Sequence, residues 1–233
     1  PASLTATATK ELRQAATSTP QTSFERRDQL IIRLLLEGIR VGELLKIRTH
    51  DIDERTEIDS GEYCATVKIQ RRPNDPEDGR SREPAVKTLS GLLPIETKLA
   101  ELLIDYITDE RSKAVEQMKF GAEHCLLFVS HEGPTIGQPL SQRSINRIVA
   151  KYKGIGCIPS DLSPHVLRHT HMTEVEEILA KKGVAEGMRR DTLLNRGRWS
   201  RNSTMPSHYT GREHLRQSAA IVKQRDTILY AKE

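Results

Sequence analysis

Apolar residues recur at helical spacing through most of the chain and at strand spacing in one region near its first third. The clearest helical stretch is RRDQLIIRLLLEG, where Leu30, Ile31, Leu34 and Leu35 share a face and Gly38 is the stop. Thr22 and Glu25 ahead of it have capping-box spacing. A second amphipathic piece, IRVGELLKIRTHDID, follows at once. EYCATVKIQ then alternates with β-branched residues, and PAVKTLSGLLPI reads as its returning strand. The intervening RRPNDPEDGRSRE is too long and polar for a tight turn, and loops of this kind usually carry function or lack order.

Beyond the hairpin the pattern is helical again. ETKLAELLIDYITDERSKAVEQMK reads as one helix, CLLFVS as a short buried strand or helical turn, and LSQRSINRIVAKYKG as a helix with Arg143, Arg147 and Lys151 on a basic face. SPHVLRHTHMTEVEEILAKKG has Ser163 at the N-cap, Pro164 at the first helical position and Gly183 as the stop. A shorter helix around GMRRDTLLN and a closing helix in REHLRQSAAIVKQRDTILY complete the chain. Residues 1–21 are rich in Ala, Thr and Ser and read as a linker or weak helix. The expected fold class is mainly α with a small antiparallel β-sheet, an α+β domain.

Composition narrows this picture only a little. A hydrophobic fraction of 36% supports a real core, and aromatics at 4% leave most of its packing to aliphatic side chains. The net charge of +4 is compatible with a nucleic-acid partner without demanding one. Cys64, Cys125 and Cys157 lie far apart with no CxxC pair, which excludes a disulfide framework or zinc ribbon and points to a reducing compartment. No run approaches the ~18 apolar residues of a membrane span, and no signal peptide is evident. The chain opens on Pro1 rather than Met, so a fragment lacking a preceding domain is expected.

The candidate chemistry starts at Arg168, which has three of the eight histidines around it, His165, His169 and His171. With Ser163 as cap, His165, Arg168 and His169 fall in the first two turns of a helix and on one face. Cations at that end of a helix cost stability unless an anion faces them, which favours an anion site. A zinc site using His165 and His169 lacks the HExxH pattern, because Val166 follows His165, and Arg168 would repel a dication. For the cluster alone, a solvated polar face remains open. Arg40 lies between Ile39 and Val41 and three residues before Glu43, an arrangement that a surface ion pair would also explain. Lys87 falls in the second expected strand, where most lysines are solvated. Tyr209 follows Pro206 in a polar segment, and a lone tyrosine is commonly a packing residue.

Taken in order, GIRVGELLKI, VKTLSGLLPI, SPHVLRHTH and RGRWSRNSTMPSHY resemble the catalytic domain of the tyrosine recombinases, the phage integrase family. That resemblance implies a site-specific DNA recombinase or integrase of a mobile element. Tyr209 would attack a scissile phosphate, leaving a 3′-phosphotyrosyl link and a free 5′-hydroxyl. Arg40 and Arg168 would hold the nonbridging oxygens. Lys87 would protonate the leaving oxygen, His165 would assist proton transfer or bind the phosphate, and Glu43 would support Arg40. His169 and His171 would pack or contact backbone. Relatives place a histidine or tryptophan shortly before the tyrosine, the place of Trp199 here, with Ser200 one residue closer to Tyr209. A one-residue insertion accounts for the offset, and a core anchor is the other reading of Trp199.

By the same resemblance no metal, cofactor or ATP is required, and the partner is double-stranded DNA, bound as a homo-oligomer, a tetramer. Arg71, Arg72, Arg143 and Arg147 are candidate backbone contacts, with Arg80 and Arg82 in the same long loop. The expected organisation is a linker or extension at 1–21, a catalytic domain at 22–215 and a C-terminal helix at 216–233 exchanged between subunits. An N-terminal core-binding domain is expected to be missing from this chain. The expected setting is the bacterial cytoplasm, on the nucleoid and away from membranes. Two alternatives stay open: a type IB topoisomerase-like DNA-relaxing enzyme, and a DNA-binding regulator with a decayed active site.

Overall fold

The computed structural model describes residues 3–121 and 123–210, together with Ser218, Ala219, Ile221, Val222 and Gln224. The closing helix expected over 216–233 lies outside the described residues apart from these five. The described residues are mainly helical with one three-stranded antiparallel sheet. No described helix is long and apolar enough to cross a membrane. Two compact units divide the chain, Pro1–His171 and Met172–Glu233, so the residues expected to form one domain at 22–215 fall into both.

The first unit opens on a helix where the sequence reading left a linker or weak helix. α1, Ala6–Ala15, is capped by Thr5, whose hydroxyl accepts the Ala8 N–H at 3.2 Å. Ala8, Leu12 and Ala16 recur every four residues and are buried, a stripe narrow enough for the helix to pack closely. α2, Ser23–Leu36, begins at the expected Thr22 cap and buries Leu30, Ile31, Leu34 and Leu35 in the same core. The piece expected to follow as a second amphipathic stretch is only a short helix, α3, Val41–Leu44, and then a 3-10 turn at Thr49–Asp51.

The sheet comprises β1, Ile52–Asp59, β2, Glu62–Ile69, and β3, Gly91–Ile95, in that spatial order. β1 and β2 meet across a tight turn at Ser60 and Gly61, where Gly61 takes φ +84°. Ala65, Val67, Ile69, Leu93 and Ile95 put alternate side chains on the buried face. α4, Thr97–Tyr106, continues through a π-type turn at Ile107–Arg111 into α5, Ser112–Glu116, so the single expected helix is interrupted once. CLLFVS is buried and makes isolated bridges, Arg48 with Leu126 and Val129 with Pro139. α6, Gln142–Ala150, and the start of α7, Pro164–Lys181, complete this unit.

In the second unit a buried pair between Glu176 of α7 and Arg189 of α8, Glu186–Gly197, lies at 3.1 Å. Met172, Leu193, Leu194, Trp199 and Tyr209 form its apolar cluster.

Candidate functional site

An open basin of about 880 Å³ in the first unit is lined by Arg40, Gly42, Glu43, Arg82, Lys87, Arg143 and His165, among others. Arg40, Lys87 and His165, which lie far apart in sequence, thus share one concavity. Arg40 is placed by the end of α2. There Gly38 takes φ +80°, and a Cβ on it would come within 2.7 Å of His171 Cδ2. Only glycine turns the chain this sharply with an imidazole so close. The Gly38 carbonyl accepts a hydrogen bond from the Arg168 guanidinium, which is buried. His171 therefore packs beneath this turn.

Glu43 ties two parts of the basin together. One carboxylate oxygen accepts the Arg40 backbone N–H at 2.8 Å, and the other accepts the Thr88 hydroxyl. Thr88 adjoins Lys87, so a single buried carboxylate sets the backbone on both sides of the basin. A Cβ on Gly42 would lie only 2.2 Å from the Ala85 carbonyl oxygen. These contacts draw residues 85–88 off the sheet, and Lys87 consequently lies in the loop ahead of β3, not in the strand where sequence reading placed it. The β2–β3 ladder ends at Ile69 paired with Gly91. Lys87 is exposed, and among the described residues no carboxylate pairs with its ammonium group.

His165 and His169 face each other with Nε2 atoms 2.9 Å apart and rings edge to face, 4.4 Å between centroids. A bond of that kind needs one N–H and one lone pair, so at least one of the two rings is neutral. Burial, with the Arg168 and Arg40 cations nearby, pushes His165 below the ordinary imidazole value.

The expected arginine contacts divide into two groups. Arg143 lines the basin, Arg147 is exposed on α6, and Arg71 is exposed at the start of the long loop. Arg72 is instead turned inward. Its guanidinium donates to the Lys46 carbonyl at 2.9 Å, to Asp51 at 2.8 Å and to Gln70 at 2.6 Å. Arg80 is likewise engaged by Asp78 and by the Leu45 and Leu140 carbonyls. Both hold the long loop in place, because their donors are already satisfied inside the protein.

The group that sequence reading missed is Lys46. Its side chain is 1% exposed, with Nζ 2.8 Å from Asp78 and 3.6 Å from Asp75, and it donates to Glu83. The available signal was a lysine inside the apolar run ELLKI opposite the acidic segment DPED of an otherwise unexplained loop.

In the second unit, α8 ends on Arg198 in a left-handed conformation, φ 52°. Trp199 then folds back, its N–H bonding the Leu194 carbonyl at 2.9 Å, with its indole against Gly197, where a Cβ would lie 2.4 Å from the ring. Tyr209 stacks on Trp199 at 6.0 Å between centroids, the planes 19° apart, and both rings are buried.

A family model described as the phage integrase family matches residues 3–211. Over 145 residues the chain is 26% identical to tyrosine recombinase XerC of Thermodesulfovibrio yellowstonii, covering 62% of this chain and 39% of that protein. It is 25% identical over 166 residues to a tyrosine recombinase of Agathobacter rectalis, covering 71% and 44%. The chain thus spans about two fifths of the length of these curated relatives. Among solved structures, it resembles XerH site-specific recombinase bound to its difH substrate, at TM-score 0.59 and 16% identity over 95% of this chain and 53% of that one. XerA recombinase gives 0.56 and 20% over 90% and 59%, and the Tn1549 transposon integrase with transposon right-end DNA gives 0.51 and 16% over 92% and 66%. At these identities the likeness to the solved structures is one of fold.

Proposed function

Since the chain belongs to the phage integrase family, we propose that it is the catalytic part of a site-specific recombinase that cleaves and rejoins DNA through Tyr209. The observation that carries the reading is the basin itself, where Arg40, Lys87 and His165 converge on one open concavity. Arg40 and Lys87 bring basic side chains to it, and a phosphodiester is the anion they fit.

In the proposed step the Tyr209 phenolic oxygen attacks phosphorus as the bond to the 5′-oxygen breaks. Lys87 gives that oxygen its proton. The phenol proton passes to a base, for which His165, neutral by virtue of its lowered value, is the candidate. Arg40 and Arg168 stabilise the charge gained by the nonbridging oxygens, and Trp199 packs behind the nucleophile. The product is a 3′-phosphotyrosyl link, which conserves the phosphodiester energy. A 5′-hydroxyl from another strand then reverses the step without ATP. The reading is the same whether Tyr209 serves its own subunit's basin or another copy's. The recombinase reading extends to double-stranded DNA as substrate, with assembly into a tetramer on it.

A pool of nicked duplexes whose short cleavage product diffuses away tests the reading. A denaturing-gel adduct formed without metal or ATP and lost in Tyr209→Phe is the expected result. Demonstrated binding to the pool with no adduct would sink it.

A further inference from the structure

We infer that Lys46 is a positioning residue for cleavage, acting through the segment Glu83–Thr88 to present Lys87 to the basin. The inference rests on the proposed role of Lys87 as the acid for the leaving oxygen.

The physical case begins with the cost of burying an ammonium group. An ammonium group at 1% exposure needs carboxylates around it to offset its lost hydration. The loop after β2 supplies three: Asp75, Asp78 and Glu83. None of them comes from α3 or from the turn after it that carries Lys46, so the loop folds around Lys46 from outside. Asp78 is further held by Arg80, which reaches the Leu45 carbonyl at 2.9 Å. The Asp75 N–H donates to Glu83 at 3.1 Å, closing the loop on itself.

Glu83 is the member of this cluster that faces the chemistry. It lines the basin and lies four residues before Lys87. From there the chain is fixed at three points along one short stretch: Glu83 on Lys46, the Ala85 carbonyl against Gly42, and Thr88 on Glu43. Lys87 stands between the second and third. Its own side chain has no acid partner among the described residues, so its direction is set by the backbone that carries it. Loss of the Lys46 tether frees the upstream end of that stretch and leaves the downstream end on Glu43.

The difference between positioning and simple stabilisation is readable in the leaving group. A duplex with sulfur in place of the bridging 5′-oxygen releases a thiolate, which departs without a proton. Cleavage rates for Lys46→Met and Lys87→Ala should be compared on oxygen- and sulfur-bridged nicked duplexes drawn from the captured pool. For Lys46→Met, cleavage of the oxygen substrate is expected to fall about tenfold or more, a fraction of the ~10²–10⁴ a general acid contributes. On the sulfur substrate it should return to within about threefold of the parent.

Equal losses on both substrates, or no loss on either, would overturn the inference. If Lys87→Ala itself fails to recover on sulfur, the fault lies with the role given to Lys87. Amide hydrogen exchange provides the arm that does not depend on cleavage. In Lys46→Met, residues 83–88 should exchange faster while β3 and α2 keep their protection, and unchanged exchange at 83–88 refutes the tether.

Discussion

Gly42 and Glu43 show how single residues set the basin. In α3, replacing Gly42 with alanine would gain about 1 kcal/mol of helix propensity. Against that, the new Cβ would lie 2.2 Å from the Ala85 carbonyl oxygen, a backbone atom that cannot rotate aside. Overpacking of this kind costs about 1–3 kcal/mol, so the propensity gain offsets it only in part and leaves a net loss of up to about 2 kcal/mol. Geometry has no such compensation, because Ala85 must move and Lys87 is two residues away. Gly42→Ala is therefore expected to melt within a few degrees of the parent yet cleave about 10²-fold more slowly, as expected for a misplacement near 1 Å. Paired melting and single-turnover cleavage measurements check this, and a parallel fall in both would show a folding defect instead. Arg40, Lys87 and His165 could be named from sequence because the stretches that carry them follow one another in a recognisable order, although none was decisive alone. Lys46 could not, since its three carboxylates come from a loop whose folding no periodicity announces.

At the scale of elements, the legible parts were those with strong apolar stripes, such as α2 and β2. β1 was missed because nearly all its side chains face solvent, with only Ile52 and Thr56 partly covered, so burial imposed no alternation on it. α1 was undervalued because two of its three buried stripe residues are alanines, which carry little hydrophobic signal but permit close packing. The long loop is held by ionised groups, and that makes it titratable. Burial pushes the Asp78 carboxyl up, yet hydrogen bonds from Arg80 and Lys46 outweigh it and hold the group at about 2, against an ordinary 3.8. Asp75 is also lowered: its burial is outweighed by hydrogen bonds from Arg48 and the Glu77 N–H. A carboxyl depressed in the folded state contributes stability that is complete above the unfolded value and fades as pH falls toward the folded one. Proteolytic or exchange protection of residues 75–83 should thus be constant above about pH 4 and decline toward pH 2. Loss of protection already at pH 5–6 would mean these carboxylates do not hold the loop.

For the molecule as a whole, the net charge of +4 understates how its cations are arranged. Lys46, Arg48, Arg72 and Arg80 are matched by acids in the loop network, and Arg111 is buried against the Leu126 and His124 carbonyls. The basin and its margin keep Arg40, Arg82, Lys87 and Arg143, with Arg147 farther along α6. On the proposed function, salt dependence separates the two groups, because each phosphate neutralised releases counterions and adds about 0.9 to the slope of log K against log salt. Arg143→Ala and Arg147→Ala are each expected to weaken duplex binding and lower that slope by about 1, with melting unchanged. Arg72→Ala should leave the slope alone. It takes the guanidinium from one oxygen of the buried Asp51 carboxylate, whose other oxygen keeps the Arg48 N–H, and removes two further hydrogen bonds. A loss of about 1–3 kcal/mol in stability is expected instead. Fluorescence anisotropy on one duplex at several KCl concentrations, read beside thermal melts, distinguishes the outcomes. A reduced slope for Arg72→Ala with an unaltered melt would mean that its guanidinium leaves Asp51 for a phosphate, and the DNA path would then cross the long loop.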